Sequence, residues 1–226
     1  MEQQNQIKLR YEAVIFDMDG VLIDSEPLWK IAMEEVFLSV GCALTRKDFQ
    51  QTVGLRIDEV VKYWYNVSPW IGPGPSEVEH LIVTRMDTLI REYGSPLPGV
   101  VDTIDYLREK GIKIGLATSS YSRLIRAVLE TIGLNTHFDV THSAEHEEFG
   151  KPHPAVYLRV AQQLEVSPLK CLVVEDSLNG IISGKAARMH VACIPEKTHH
   201  PEPRLALADF TFEDMHRLLT DIQNTH

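Results

Sequence analysis

Two aspartates one residue apart, Asp17 and Asp19, follow the apolar run Ala13-Val14-Ile15-Phe16 and precede Gly20. An apolar run bounded by turn signals reads as a buried strand, and ligands of α/β sheets bind beyond the carboxyl ends of strands. The pair is therefore predicted to share a strand tip. Two anions held that close repel unless a proton or a cation lies between them. Mg²⁺ takes oxygen ligands, commonly one or two carboxylates plus a substrate phosphate. An aspartate can also attack phosphorus as a covalent nucleophile. The plainer alternative is a polar turn that merely ends a strand.

Three later stations extend the pattern. The apolar run Ile112-Lys113-Ile114-Gly115-Leu116-Ala117 ends in Thr118-Ser119-Ser120. Hydroxyls and free N–H groups at a strand-to-helix junction can cradle a phosphate, because helix N-termini attract anions. Lys151 stands alone in Phe149-Gly150-Lys151-Pro152-His153-Pro154, a loop leading into a helix. A lysine there can act as a point charge on phosphate. Cys171-Leu172-Val173-Val174 ends in Glu175-Asp176-Ser177, whose two acids complete a candidate metal site. Taken singly, Thr118 could be a helix cap, Lys151 a solvated charge and Glu175-Asp176 an acidic first turn. Taken in order, they describe one site that handles phosphate and metal.

The elements that must position these residues alternate. Strands are expected near 12–17, 112–117, 138–141, 171–175 and 190–194, with a sixth, edge strand at 207–211. Helical patterns fall near 99–110, 121–132, 154–164, 178–187 and 213–222. Such alternation predicts a Rossmann-like parallel sheet with flanking helices. Residues 25–94 break the rhythm, with helical patterns near 26–40, 45–52, 56–66 and 76–92 and no clear strand. The chain returns through Gly94-Ser95-Pro96-Leu97-Pro98-Gly99, a breaker cluster suited to a linker. The expected division is a catalytic core of 1–24 and 95–226 and a helical cap of 25–94. A helical insertion directly after a strand-end site would lie over it as a lid, unless it forms a second core of its own.

Length and composition set the bounds. The chain has 226 residues, 44% hydrophobic and 24% charged, as in ordinary soluble globular proteins. A net charge of −10 argues against generic binding to nucleic acid or anionic membranes. An anionic substrate must then be drawn by local positive features: a cation, Lys151, Arg56 and helix N-termini. The three cysteines, Cys42, Cys171 and Cys193, form no Cys-x-x-Cys pair and suggest a reducing compartment. The polar start Met1-Glu2-Gln3-Gln4-Asn5-Gln6 lacks an apolar leader core, and no run is long enough to span a membrane. The expectations are a cytoplasmic location and a monomer.

These residues carry a resemblance. The sequence resembles the haloacid-dehalogenase-like phosphohydrolases, whose four motifs are matched in order by Asp17-Met18-Asp19-Gly20, Thr118, Lys151 and Glu175-Asp176. Within that family it is similar to the β-phosphoglucomutase-like sugar-phosphate phosphatases and mutases, which carry a small helical cap after the first motif. Asp24-Ser25-Glu26-Pro27-Leu28-Trp29, Gly54-Leu55-Arg56-Ile57-Asp58 and Lys151-Pro152-His153-Pro154 look most like its bacterial hexose- and hexitol-phosphate phosphatases. The resemblance implies hydrolysis of small phosphorylated sugars or polyols: hexose 6-phosphate, 2-deoxyglucose 6-phosphate or hexitol phosphate.

It further implies Asp17 as nucleophile and Asp19 as acid and then base. Mg²⁺, with Mn²⁺ or Co²⁺ able to substitute, would be held by the Asp17 side chain, the Asp19 carbonyl and Asp176. Glu175 would orient water or support Lys151 rather than bind the ion. Lys151, Thr118 and the N–H groups of Met18, Asp19 and Ser119 would stabilise the transferring oxygens.

Several further residues are candidates. Glu26, Trp29 and Arg56 are expected cap contacts to substrate, Arg56 with helix-surface solvation as its alternative. Trp29 stands where the related mutase carries a histidine; a tryptophan cannot shuttle a proton, and the departure favours hydrolysis. Trp64, Tyr65 and Trp70 could stack on a sugar, though aromatics are more often core. His142 and His146 have the spacing of a transition-metal pair if helical, and His153 would need further ligands. His199-His200 reads as a solvated loop. The rival functions are a phosphomutase and a non-catalytic phosphometabolite-binding regulator. A dehalogenase is disfavoured because that chemistry needs neither metal nor Asp19.

Overall fold

The structure, a computed structural model, describes residues 11–52, 55–196 and 202–224, without the side chains of 46 and 50. Gly54, the first residues of the chain and His199-His200 lie outside that description. The core is a sheet of short strands: β1 (Ala13–Phe16), β2 (Lys113–Thr118), β3 (Val140–Ser143), β4 (Cys171–Glu175), β5 (His190–Cys193) and β6 (Phe210–Thr211). All pair in parallel, in the order β3-β2-β1-β4-β5-β6. Every residue of β1 and β4 is buried, as parallel strands covered on both faces require. Alternate residues serve opposite faces. Val14 and Phe16 pack into one apolar cluster, Ala13 and Ile15 into the other.

Between β1 and β2 come α1 (Glu26–Ser39), α2 (Arg46–Phe49), α3 (Ile57–Val67) and α4 (Pro75–Tyr93), followed by α5 (Val100–Glu109). The remaining helices are α6 (Ser122–Thr131), α7 (Ala155–Gln163), α8 (Leu178–Ala186) and α9 (Met215–Gln223). Their apolar stripes keep helical spacing. Ile57, Val60, Val61 and Trp64 are the buried positions of α3; Val100, Thr103, Ile104 and Leu107 are those of α5. The helices α7 and α8 cover the face of Ala13 and Ile15, while α5, α6 and α9 cover the face of Val14 and Phe16.

The α1–α4 insertion does not build a separate core. Its buried residues, among them Phe37, Val61, Trp64, Ile82 and Met86, belong to the cluster that also holds Phe16, Leu116 and Val174 of the sheet. The insertion lies against α6 with polar ties along the seam. Arg123 donates to Asp87 at 2.6 Å and to Thr84 at 3.0 Å, Arg91 reaches Glu130 at 2.9 Å, and the Tyr121 hydroxyl donates to Glu79.

Three local expectations need correction. The helix expected over 45–52 is only the single turn α2, continued by a 3₁₀ turn at Gln50–Thr52. The strand expected at 207–211 is confined to Phe210–Thr211, because Pro203–Leu207 coils into a 3₁₀ turn. β3 starts two residues late: the Asp139 carboxylate takes the Ile114 N–H at 2.7 Å and occupies the ladder position itself.

Candidate active site

The carboxyl ends of β1, β2 and β4 meet where the strand order turns back at β1, and that is where α/β sheets hold ligands. Asp17 directly follows β1, its N–H donating to Val174 O at 3.0 Å. The chain then reverses in a tight turn, with Leu22 N–H to Met18 O and Gly20 N–H to Ile23 O both at 2.9 Å. Gly20 has φ +73°, and a Cβ there would collide with the Asp176 carboxylate. The turn thus presses the Asp17-Met18-Asp19 strand tip against the end of β4. The Met18 side chain is fully buried, so Met18 offers the site only its main chain.

A buried charge network lies beneath. The Lys151 ammonium sits 2.7 Å from Glu175 Oε1 and 2.9 Å from Asp17 Oδ1, its side chain almost wholly buried. It also donates to Ala117 O at 3.2 Å. Apart from this ammonium, the buried Asp17 Oδ1 has no hydrogen-bond partner. Burial alone would lower the Lys151 pKa; Asp17 and Glu175 outweigh it and push it up. Burial drives the Asp17 carboxyl up to about 7, with Glu175 and Asp19 adding to the rise and Lys151 opposing it. Asp176 is pushed well up by burial, then by Glu175 and Asp17.

Glu175 behaves differently. Its Oε1 accepts from Lys151 at 2.7 Å and from the Tyr157 hydroxyl at 2.6 Å. Its Oε2 accepts from the N–H groups of Asp176 and Ser177, each at 3.1 Å, and from Ser177 Oγ at 3.0 Å. Burial would raise its pKa, but Lys151 and these donors hold it below the usual carboxylate range. Gly180 in the first turn of α8 makes room: a Cβ there would overlap the Glu175 carboxylate.

Asp17, Glu175 and Asp176 each place an oxygen within 4.8 Å of the others. Among the described residues they are the one such grouping of acids, histidines or cysteines. An all-carboxylate set with a buried oxygen short of hydrogen-bond partners fits a hard divalent cation such as Mg²⁺. Two carboxyls raised by burial and mutual repulsion are what such a set looks like with no positive charge between them. With Glu175 committed to protein donors, Asp17 and Asp176 remain for the ion.

Asp19 points elsewhere and is gripped from two sides. Oδ1 accepts from Ser25 Oγ at 2.5 Å and Trp29 Nε1 at 3.3 Å; Oδ2 accepts from Ser120 Oγ at 2.6 Å and, at the 3.5 Å limit, Thr118 Oγ1. Thr118 Oγ1 also accepts the Ser120 N–H at 3.1 Å. Above these groups opens a cavity of about 690 Å³, lined by Asp17, Thr118, Ser119 and Lys151 from the strand ends and by Glu26, Trp29, Phe49 and Arg56 from the insertion.

The remaining expected contacts fall as follows. Glu26 pairs with Lys30 at 3.1 Å at the cavity rim. Arg56 lines the cavity, but its guanidinium is engaged by Asp58 at 3.1 and 3.3 Å and by the carbonyls of Ala144 and Glu147 at 3.2 and 3.3 Å. Trp64 and Trp70 are buried, Trp70 edge-on to Phe37 and Tyr65, and none of these three aromatics lines the cavity. His142 lies on β3 and His146 in a 3₁₀ turn, so they share no helix; they pair with Glu147 at 2.8 Å and Glu145 at 3.0 Å respectively. His153 stacks near Phe149 and joins no metal-binding group.

Three site residues escaped the sequence reading. Ser25 occupies the N-cap position of α1 yet makes no capping bond, because its hydroxyl serves Asp19. Ser120 sat inside the Thr118-Ser119-Ser120 motif without being singled out. Tyr157 carried no signal, since its role depends on how α7 lies on the sheet.

A parallel sheet with an acidic pair at one strand tip, a buried lysine and a second acidic pair across from it defines a class. The chain belongs to the haloacid dehalogenase-like hydrolases, whose family model matches residues 11–188. It is 42% identical over 207 residues to hexitol phosphatase B of Escherichia coli K12, covering 91% of this chain and 93% of that protein. A phosphorylated carbohydrates phosphatase of Thermotoga maritima is 33% identical over 176 residues, covering 78% of this chain and 81% of the relative. Among solved structures, phosphate-bound CbbY of Rhodobacter sphaeroides superposes with a TM-score of 0.86 at 25% identity, covering 94% of this chain and 99% of CbbY.

Proposed function

We propose that the chain is a Mg²⁺-dependent phosphatase of small phosphorylated sugars or polyols, acting through an aspartyl-phosphate. The observation that carries this reading is Asp17, buried at the strand tip beside Lys151 at 2.9 Å and flanked by the firmly held Asp19. An Asp17 carboxylate oxygen bonds to phosphorus as the P–O bond to the sugar breaks, and the leaving oxygen takes the proton of the Asp19 carboxyl. A water oxygen then attacks phosphorus and passes a proton to the Asp19 carboxylate. The P–O bond to Asp17 breaks, returning its carboxylate and releasing inorganic phosphate. Mg²⁺, when held by Asp17, the Asp19 carbonyl and Asp176, supplies positive charge to the transferring phosphoryl group. Lys151, Thr118 and the N–H groups of Met18, Asp19 and Ser119 serve the same oxygens. Glu175 keeps Lys151 in place.

Residues 25–94 act as the cap on a core of 1–24 and 95–226. The cavity lies between the two, so the insertion excludes water and selects substrate. Hexose 6-phosphate, 2-deoxyglucose 6-phosphate and hexitol phosphate are the proposed substrates, supported by the names of the relatives.

The competing mutase reading is tested alongside. Purified protein is incubated with a panel of phosphorylated sugars and polyols, with Mg²⁺ or EDTA, and inorganic phosphate is followed. β-Glucose 1-phosphate with a trace of the bisphosphate is included. Phosphate release that requires Mg²⁺ is expected; glucose 6-phosphate forming much faster than phosphate would install the mutase instead.

A further inference from the structure

The geometry points to Trp29 as a positioning residue for Asp19, holding it through the indole N–H; the inference rests on the phosphatase reading above. Ser25 and Trp29 occupy one turn at the start of α1, where Trp29 N–H bonds to Ser25 O at 2.9 Å. Side chains four residues apart share a helix face, and both reach the same oxygen, Asp19 Oδ1. The other oxygen is held from the opposite side by Ser120 and Thr118 beyond β2. Asp19 is thus clamped between the insertion and the sheet, and its carboxyl cannot turn without breaking a contact on each side.

The donors are not equivalent. A hydroxyl donates and accepts, so Ser25, Ser120 and Thr118 can each compete for a proton on Asp19. An indole N–H only donates. Trp29 therefore holds Oδ1 from one fixed direction and only as a donor, whereas the Ser25 hydroxyl on the same oxygen can turn. Packing of the ring against the apolar cluster steadies the donor.

The test separates positioning of the acid from contact with sugar. Ethyl phosphate and p-nitrophenyl phosphate both lack sugar hydroxyls; ethoxide needs a proton to leave and p-nitrophenolate does not. Trp29→Phe keeps an aromatic ring and removes the N–H. The kcat/KM for ethyl phosphate should fall about tenfold or more, a part of the roughly 10²–10⁴-fold that outright loss of acid–base catalysis costs, and that for p-nitrophenyl phosphate should stay within about threefold. Because Asp19 also serves the second half-reaction, Trp29→Phe should release p-nitrophenolate in a burst. Equal losses in kcat/KM on both esters, or a loss on neither, would overturn the assignment. A second measurement needs no Trp29 variant. In protein labelled with ¹⁵N-tryptophan, Asp19→Ala should move one of the three indole N–H resonances upfield and speed its exchange with water. Three unmoved resonances would also overturn it. A wild-type protein that releases phosphate from neither these esters nor any phosphorylated sugar or polyol of the panel would instead defeat the phosphatase reading, and the resonance experiment would still judge the contact.

Discussion

The Tyr157 hydroxyl donates to Glu175 Oε1 at 2.6 Å, and the Lys151 ammonium sits 4.9 Å over the centre of the same phenol ring. One side chain thereby steadies both members of the buried ion pair. Burial and the Glu175 charge push the phenol's pKa well up, so it remains a donor throughout the working range. Tyr157→Phe keeps the ring over Lys151 and removes one donor from a fully buried carboxylate oxygen. The expected loss is about 1–3 kcal/mol of stability, the cost of leaving a buried polar group short of a partner. Urea denaturation of the two proteins checks it, and unchanged midpoints would mean that the remaining donors suffice.

Asp17→Asn should abolish turnover and raise stability at once. The amide cannot form the aspartyl-phosphate, and it removes a buried charge that faces Glu175, Asp19 and Asp176. Turnover should fall far more than about tenfold, since a lost nucleophile raises the barrier by several kcal/mol. Thermal melts in EDTA should show the variant melting above wild type at pH 8. Residual activity within tenfold of wild type would exclude the covalent route.

The same carboxylate sets a pH dependence. Its pKa rises from 3.8 to about 7 on folding without a cation. A raised pKa favours the protonated folded state. This contribution is therefore complete below about pH 4 and lost as pH climbs through about 7. Asp176, also pushed up, acts in the same direction. In EDTA, stability relative to Asp17→Asn should fall across that window. Mg²⁺ requires deprotonated ligands, so its gain in melting temperature should be larger at pH 8 than at pH 5. Asp176→Ala should lose most of the gain. Scanning calorimetry at the two pH values decides, and an equal gain at both would contradict the ligand assignment.

Much of this architecture was legible because the central strands β1 and β4 are buried on both faces. Ala13-Val14-Ile15-Phe16 and Cys171-Leu172-Val173-Val174 read as unbroken apolar runs, and the site residues directly follow them. A residue such as Asp17 is placed by its strand, so one-dimensional order translates into position. Helical side chains are harder, because their direction depends on how the helix lies. Tyr157 reaches Glu175 only because of how α7 lies on β1, β2 and β3, and nothing in Ala155-Val156-Tyr157 states that. Ser25 stands at the N-cap position of α1, and only the tight turn at Gly20 brings its hydroxyl to Asp19. The partners of Arg56 were not legible either, because sequence does not show two main-chain carbonyls meeting it beside Asp58.

Those two carbonyls have a further consequence. Arg56 docks the insertion on the loop after β3 by reading the peptide backbone of Ala144 and Glu147, not their side chains. Every amino acid presents the same carbonyl, so this fastening is indifferent to the identity of those two residues. Gly150 is the exception, because a methyl group there would come within 2.7 Å of Arg56 Cδ. The fastening therefore survives changes in the exposed side chains of this loop, so long as the path of the main chain is kept. Anchorage of the insertion and the side-chain chemistry of the loop are thus separable, and they meet at a single position without a side chain, Gly150.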